Sequence, residues 1–187
     1  MAYHPNSGLM LITLLRSTTI KNDFWTIEGV PSFQPIIAES YLVYDDYFNY
    51  QLLAGLAPVV LGYSDKYGDR TAYYFSIAST AQYAVSTKVL KDQRWTYNPN
   101  DLRIVGYRGC NSQIASMVID FTFQVAFYAE LQSNKITCWN MNKPLNPDNI
   151  GVVFKSKNLQ YPAQIFIDSR GYTSVRDAIH GTVCDLN

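Results

Sequence analysis

The sequence has few charged residues. They make up 16% of its 187 residues, compared with about 25% in an average soluble protein. Fifteen basic and fifteen acidic side chains cancel, so the chain has no net field that would attract phosphate backbones or anionic lipid. These numbers argue against a general nucleic-acid-binding protein and against a protein held at a membrane surface by charge.

Long hydrophobic runs are also missing. The apolar run over residues 8–15 is too short to cross a bilayer, which needs about 20 residues. No basic segment precedes this run and no small-residue cleavage site follows it, as a signal peptide would require. The sequence therefore predicts no membrane span, and we expect a cytoplasmic or particle-associated protein.

Cysteine and histidine are scarce, with three and two residues respectively. Cys110, Cys138 and Cys184 lie far apart, and neither C-x-x-C nor H-x-x-x-H spacing occurs. Such spacings bring metal ligands together, and an even cysteine count is typical of a disulfide framework. We predict free thiols, no bound metal and no cofactor.

Aromatic residues are abundant, with fifteen tyrosines among them, and they favour strands, where flat rings pack on a pleated surface. Apolar and other residues alternate with a period of two over residues 118–131, which predicts one long strand. Further strands are expected at residues 102–107, 136–141, 151–155 and 163–168. Together they predict an antiparallel meander of about five strands in residues 102–168.

The first half of the sequence indicates a hairpin and some helix. Residues 58–63 and 70–76 form a candidate hairpin around a turn that contains Gly68. Residues 36–54 have apolar spacings of three and four and favour a helix, although two strands meeting at Asp45-Asp46 remain an alternative. A capping box at residues 79–82 predicts a helix to about residue 92. A last helix is expected at residues 173–180.

These elements predict one α+β domain over residues 1–187, mainly antiparallel sheet, with two or three helices mostly in the N-terminal half. Low charge, many tyrosines and the absence of known catalytic sequence motifs favour a non-catalytic assembly protein. We expect a structural subunit of a virion, tail or filament, acting as a homo-oligomer or with a protein partner.

A small-ligand-binding domain is the first alternative function. In this interpretation the curved sheet encloses an aromatic pocket. Its lining would come from one face of the long strand, through Phe121, Phe123, Val125 and Phe127.

Two further alternatives use reactive or basic side chains. Cys110 and His180 occur in the order found in papain-like hydrolases, where an imidazole holds a cysteine as the thiolate nucleophile. A cysteine that fills space after a glycine turn and a histidine that caps a helix C-terminus explain the same two residues without catalysis. Basic and aromatic residues interleaved over residues 88–108 are a weak candidate for single-stranded nucleic acid, and Asp92 and Asp101 reduce their charge.

Overall fold

The chain folds into consecutive antiparallel sheets, each built from strands that are neighbours in the sequence. The computed structural model describes residues 3–4, 9–14, 23–44, 48–56, 59–168, 171–177 and 183–186. The first sheet consists of β1 (Tyr3–His4), β2 (Leu9–Leu14) and β3 (Asp23–Ile27). The second consists of β4 (Tyr41–Tyr44) and β5 (Phe48–Gln51).

Two four-stranded sheets follow. The first blade consists of β6 (Val60–Ser64), β7 (Arg70–Tyr74), β8 (Ala81–Ser86) and β9 (Leu102–Tyr107). The second blade consists of β10 (Ile114–Asp120), β11 (Val125–Glu130), β12 (Lys135–Asn140) and β13 (Ile150–Lys155). The last sheet consists of β14 (Pro162–Ile167), β15 (Thr173–Asp177) and β16 (Val183–Leu186). Successive four-stranded antiparallel sheets of this kind are typical of β-propellers.

In the described residues, helical structure consists of short turns between strands. The α-helix of the described residues is α1 (Thr87–Leu90), and the 3-10 turns are Pro31–Phe33, Ile37–Glu39, Pro99–Asp101 and Pro147–Asn149. Within the part of the chain that the structure describes, no helix is both long and apolar enough to span a membrane.

The core lies in layers between successive sheets. One cluster combines Phe75 and Tyr73 of the first blade with Met117 and Trp139 of the second. A further cluster joins Ile136 of the second blade to the β14–β16 sheet. Each blade is therefore covered on both faces, which explains why buried residues occur on both sides of β10.

The predicted α+β class is wrong, because the protein is mostly antiparallel strand. Within residues 36–54, β4 and β5 pair with each other after one 3-10 turn, which confirms the alternative with two strands. Residues 79–92 contain strand β8, and only Thr87–Leu90 is helical, with Ser86 as its N-cap. The last predicted helix is strand β15 as far as Asp177, and residues 178–180 lie outside the described residues.

The five-strand meander is also divided differently. The strand at residues 102–107 is confirmed, but it belongs to the first blade, and β14 belongs to the sheet after the second blade. The strand predicted over residues 118–131 is a hairpin. Asp120 Oδ1 accepts the N–H groups of Thr122 at 2.8 Å and Phe123 at 3.2 Å, and Gln124 adopts a φ of 55°. These contacts form a tight turn without glycine or proline.

Tyr74 in the first blade makes the stability sensitive to alkali. Its side chain is 1% exposed, and its hydroxyl is 2.8 Å from Ser32 Oγ. Burial raises the pKa of Tyr74 to about 12. A tyrosine in the unfolded chain has a pKa near 10. The contribution of protonated Tyr74 to the free energy of unfolding is therefore complete below pH 10 and is lost as the pH rises towards 12.

We therefore expect the free energy of unfolding to fall more steeply between pH 10 and pH 12 in the native protein than in a Tyr74→Phe variant. The extra fall should be about 2 kcal/mol. Urea unfolding at several pH values measures this difference. Parallel curves for the two proteins would show that Tyr74 ionises freely in the folded state.

Candidate functional site

An open groove lies between the two blades and has a volume of about 180 Å³. Both blades contribute to it, together with the segment that follows β12. The lining residues are Tyr73, Arg103, Val105, Trp139, Met141, Lys143, Pro144 and Leu145. The groove therefore combines two aromatic rings, two cationic side chains and no acidic one.

Pairing across the first blade positions one wall of this inter-blade groove. Tyr73 on β7 pairs with Ala84 on β8, which pairs with Arg103 on β9. Side chains of directly paired residues lie on the same face of a sheet. A β-bulge follows, because Tyr83 pairs with Ile104 but Gln82 pairs with Gly106. Bulges redirect the side chains of the strand that contains them, and here the extra residue is the groove residue Val105.

The other wall is the end of β12 and the turn after it. Trp139 is 4% exposed, and its indole Nε1–H donates to the carbonyl oxygen of Lys143 at 3.0 Å. The Met141 N–H donates to the Gln124 carbonyl oxygen at 2.8 Å, which ties this turn to the β10–β11 turn. The indole thus fixes the backbone that presents the Lys143 side chain.

The two walls meet at Gly106 and Leu145. The neighbouring Tyr107 N–H donates to the Leu145 carbonyl oxygen at 3.3 Å. A Cβ atom on Gly106 would lie 2.7 Å from Leu145 Cβ and would collide with the Leu145 carbonyl oxygen. Glycine is therefore required here for the two backbones to approach.

A buried arginine connects the blades near this junction. Arg108 is 4% exposed, and its guanidinium donates to the carbonyl oxygens of Ser79 at 2.8 Å, Ser112 at 3.2 Å and Ala81 at 3.3 Å. Burial lowers the pKa of Arg108 to about 10, which leaves it charged at neutral pH. The three acceptors tie the start of β8 to the segment that leads into β10.

A second buried polar contact crosses the same interface. The Tyr128 hydroxyl on β11 donates to Gln82 Oε1 on β8 at 2.7 Å. Burial raises the pKa of Tyr128, so it stays a donor at neutral pH. Gln82 Nε2 is buried and has no hydrogen-bond partner among the described atoms. The ring of Tyr128 also lies 5.6 Å from the Arg108 guanidinium carbon, so these contacts hold the blades together beside the groove.

The four aromatic-pocket candidates do not share one face of a strand. Phe121 lies in the β10–β11 turn, and its ring centroid is 6.4 Å from that of Tyr73. Phe123 is 75% exposed in the same turn. Val125 begins β11, and Phe127 packs in the core below the last sheet. Phe121 thus packs against the groove residue Tyr73.

Of the two catalytic candidates, the structure describes Cys110. Cys110 is exposed, and His180 lies outside the described residues. Burial raises the pKa of Cys138, which disfavours the thiolate. In the ranges that the structure describes, no three His, Cys, Asp or Glu side chains form a group that could hold a metal.

The basic and aromatic stretch at residues 88–108 does not form one patch. Arg108 is buried between the blades, and Lys91 forms an ion pair with Asp69 at 2.8 Å. Arg103 alone among these residues lines the groove. Sequence reasoning did not identify Tyr73, Trp139 or Lys143 as site residues, because they come from different strands and share no sequence spacing.

The chain is similar in sequence to members of a known protein family. The model of the major royal jelly protein family matches residues 20–178 of the chain. The chain belongs to this family. A yellow-related salivary protein of Phlebotomus duboscqi is 32% identical over 152 residues, which are 81% of this chain and 37% of that protein. A yellow-related salivary protein of Phlebotomus perniciosus is 36% identical over 157 residues, which are 84% of this chain and 38% of that protein.

A yellow-related salivary protein of Lutzomyia longipalpis is 36% identical over 117 residues, which are 63% of this chain and 28% of that protein. The chain spans less than half the length of these relatives. The predicted role as a homo-oligomeric structural subunit of a virion, tail or filament is wrong. The chain belongs to the major royal jelly protein family, and its matched relatives are salivary proteins. The β-rich character is confirmed.

Proposed function

We propose that the protein is a secreted binder of small, ring-containing ligands, and that the inter-blade groove contributes a binding site. The groove is the observation that supports this proposal, because Tyr73 and Trp139 both line its volume of about 180 Å³. By volume alone, roughly 150 Å³ is enough for a benzene molecule. The space therefore suits a single ring with a small substituent.

Family membership supports the same function for the whole protein. The matched relatives are salivary by name, and we extend a secreted setting to this protein. Biogenic amines are a ligand class that we propose for the protein as a whole.

Isothermal titration calorimetry with histamine, tyramine, benzamide and benzoate tests the proposal. We expect at least one of these compounds to bind, and a Tyr73→Leu variant to weaken binding in the groove by about tenfold, since an aromatic face is lost. Tyr63→Leu is the matched control. Tyr63 also packs against Phe121, with ring centroids 5.2 Å apart, but it is 66% exposed and does not line the groove.

The titration has two outcomes that would count against the proposal. If none of the four compounds binds at millimolar concentration, small-ligand binding fails for this chain. If a compound binds equally well to the native protein and to both variants, the groove is not its site.

A further inference from the structure

We propose that the inter-blade groove selects a ring that carries an anionic group, such as an aromatic carboxylate. This inference rests on the proposed function, because it names the charge class of the ligand for the same groove. The charge of the lining residues is the observation behind it.

Two cations face this groove from opposite walls. Arg103 comes from β9 of the first blade, and Lys143 comes from the turn after β12 of the second blade. Both side chains are exposed, and no acidic residue lines the groove. An anion placed between the walls would therefore interact favourably with both charges.

Neither cation is neutralised within the described part of the chain. The ion pairs found there join Lys91 to Asp69 and Lys135 to Glu130, and neither involves a groove residue. Arginine and lysine bind carboxylates through charge-assisted hydrogen bonds, which are stronger than neutral ones. Two unpaired cations beside two aromatic rings thus provide both parts of a site for an aromatic anion.

The backbone holds these two walls in a fixed relation. The Tyr107 N–H of the first wall donates to the Leu145 carbonyl oxygen of the second at 3.3 Å, and the Trp139 indole holds the Lys143 carbonyl oxygen within the second wall. A groove whose walls are held in place loses less conformational freedom on binding. The same arrangement disfavours a cationic ligand, so an amine bound by the whole protein is expected at a different place.

Three ligands with the same ring and different charges test the inference. Benzoate is negative, benzamide neutral and benzylamine positive at neutral pH. By calorimetric titration we expect benzoate to bind about tenfold more tightly than benzamide, and benzylamine to bind most weakly. Arg103→Gln and Lys143→Gln should each weaken benzoate binding by about tenfold and weaken benzamide binding much less.

The matched control is Lys157→Gln, which removes an exposed lysine that does not line the groove and should leave benzoate binding unchanged. Equal binding of benzoate and benzamide, unaffected by Arg103→Gln, would overturn the charge selection while small-ligand binding stands. If none of the three ligands binds, the groove is not a ligand site, and the proposed function fails there as well. Urea unfolding of each variant verifies that the fold is kept.

Discussion

Replacing Arg108 with methionine is expected to destabilise the protein by about 3 kcal/mol. Three backbone carbonyl oxygens, those of Ser79, Ala81 and Ser112, lose their donor. Hydrogen bonds to charged groups contribute roughly 1.5 to 3 kcal/mol each, so their loss alone would cost more than 3 kcal/mol. Relief of the cost of burying a charge offsets part of this loss.

An Arg108→Lys variant separates charge from geometry. Lysine keeps the positive charge, but its ammonium group lacks the planar fork that reaches several acceptors at once. We therefore expect Arg108→Lys to be destabilised as well, by at least 1 to 2 kcal/mol. Urea unfolding followed by tryptophan fluorescence measures both changes.

Arg103→Met is the control for this pair of variants. Arg103 lies on β9, which ends directly before Arg108, and its side chain is exposed. Such surface substitutions usually change stability by less than about 0.5 kcal/mol. If Arg108→Met is as stable as Arg103→Met, the buried guanidinium does not connect the blades.

Replacing Gly106 with alanine should destabilise the protein by about 2 to 4 kcal/mol and weaken ligand binding in the groove. The new methyl group would collide with the Leu145 carbonyl oxygen and lie 2.7 Å from Leu145 Cβ. Backbone atoms cannot rotate away, so the segment after β12 must shift. That segment contributes Lys143 and Leu145 to the groove.

Gly68→Ala isolates the conformational part of such a change. Gly68 has a φ of 80°, and a Cβ there would have nothing within 4 Å. A non-glycine residue in this conformation costs roughly 1 to 2 kcal/mol. Thermal or urea unfolding should show a larger loss for Gly106→Ala than for Gly68→Ala. A larger loss for Gly68→Ala would mean that the Leu145 segment can move away from residue 106 at little cost in free energy.

The sequence allowed several strands to be predicted because local signals agreed with the final pairing. Residues 102–107 lie between an Asn-Pro-Asn-Asp turn and Gly109, and β9 has the same bounds. The hairpin of β6 and β7 was likewise predicted from its turn residues and is confirmed. In these segments the propensity of each residue and the tertiary contacts favour the same structure.

Two predictions failed where local signals conflicted with tertiary contacts. The β10–β11 turn contains no glycine or proline, and the alternation of apolar residues continues through it. The sequence therefore gives no sign of the hydrogen bonds to Asp120 that form the turn. Residues 79–82 match a capping box, yet Ala81 and Gln82 pair with β9. Pairing on both sides of β8 outweighed the local helix signal.

The groove could not be predicted from the sequence for a different reason. Tyr73, Arg103 and Trp139 come from three strands in two blades. Only the register of each blade and the contact at Gly106 bring them together. A sequence pattern has no periodicity that reports such a contact between sheets.

The most direct test of the groove as a ligand site is the indole N–H signal of Trp139 in a proton–nitrogen correlation spectrum during titration with benzoate. Trp139 lines the groove and donates to Lys143, whereas the Trp95 indole donates to Asp101 Oδ2 at 2.7 Å outside it. We predict that the Trp139 signal shifts in a saturable manner while the Trp95 signal stays in place. An unchanged Trp139 signal, or equal shifts of both signals, would contradict the assignment of this groove as a binding site.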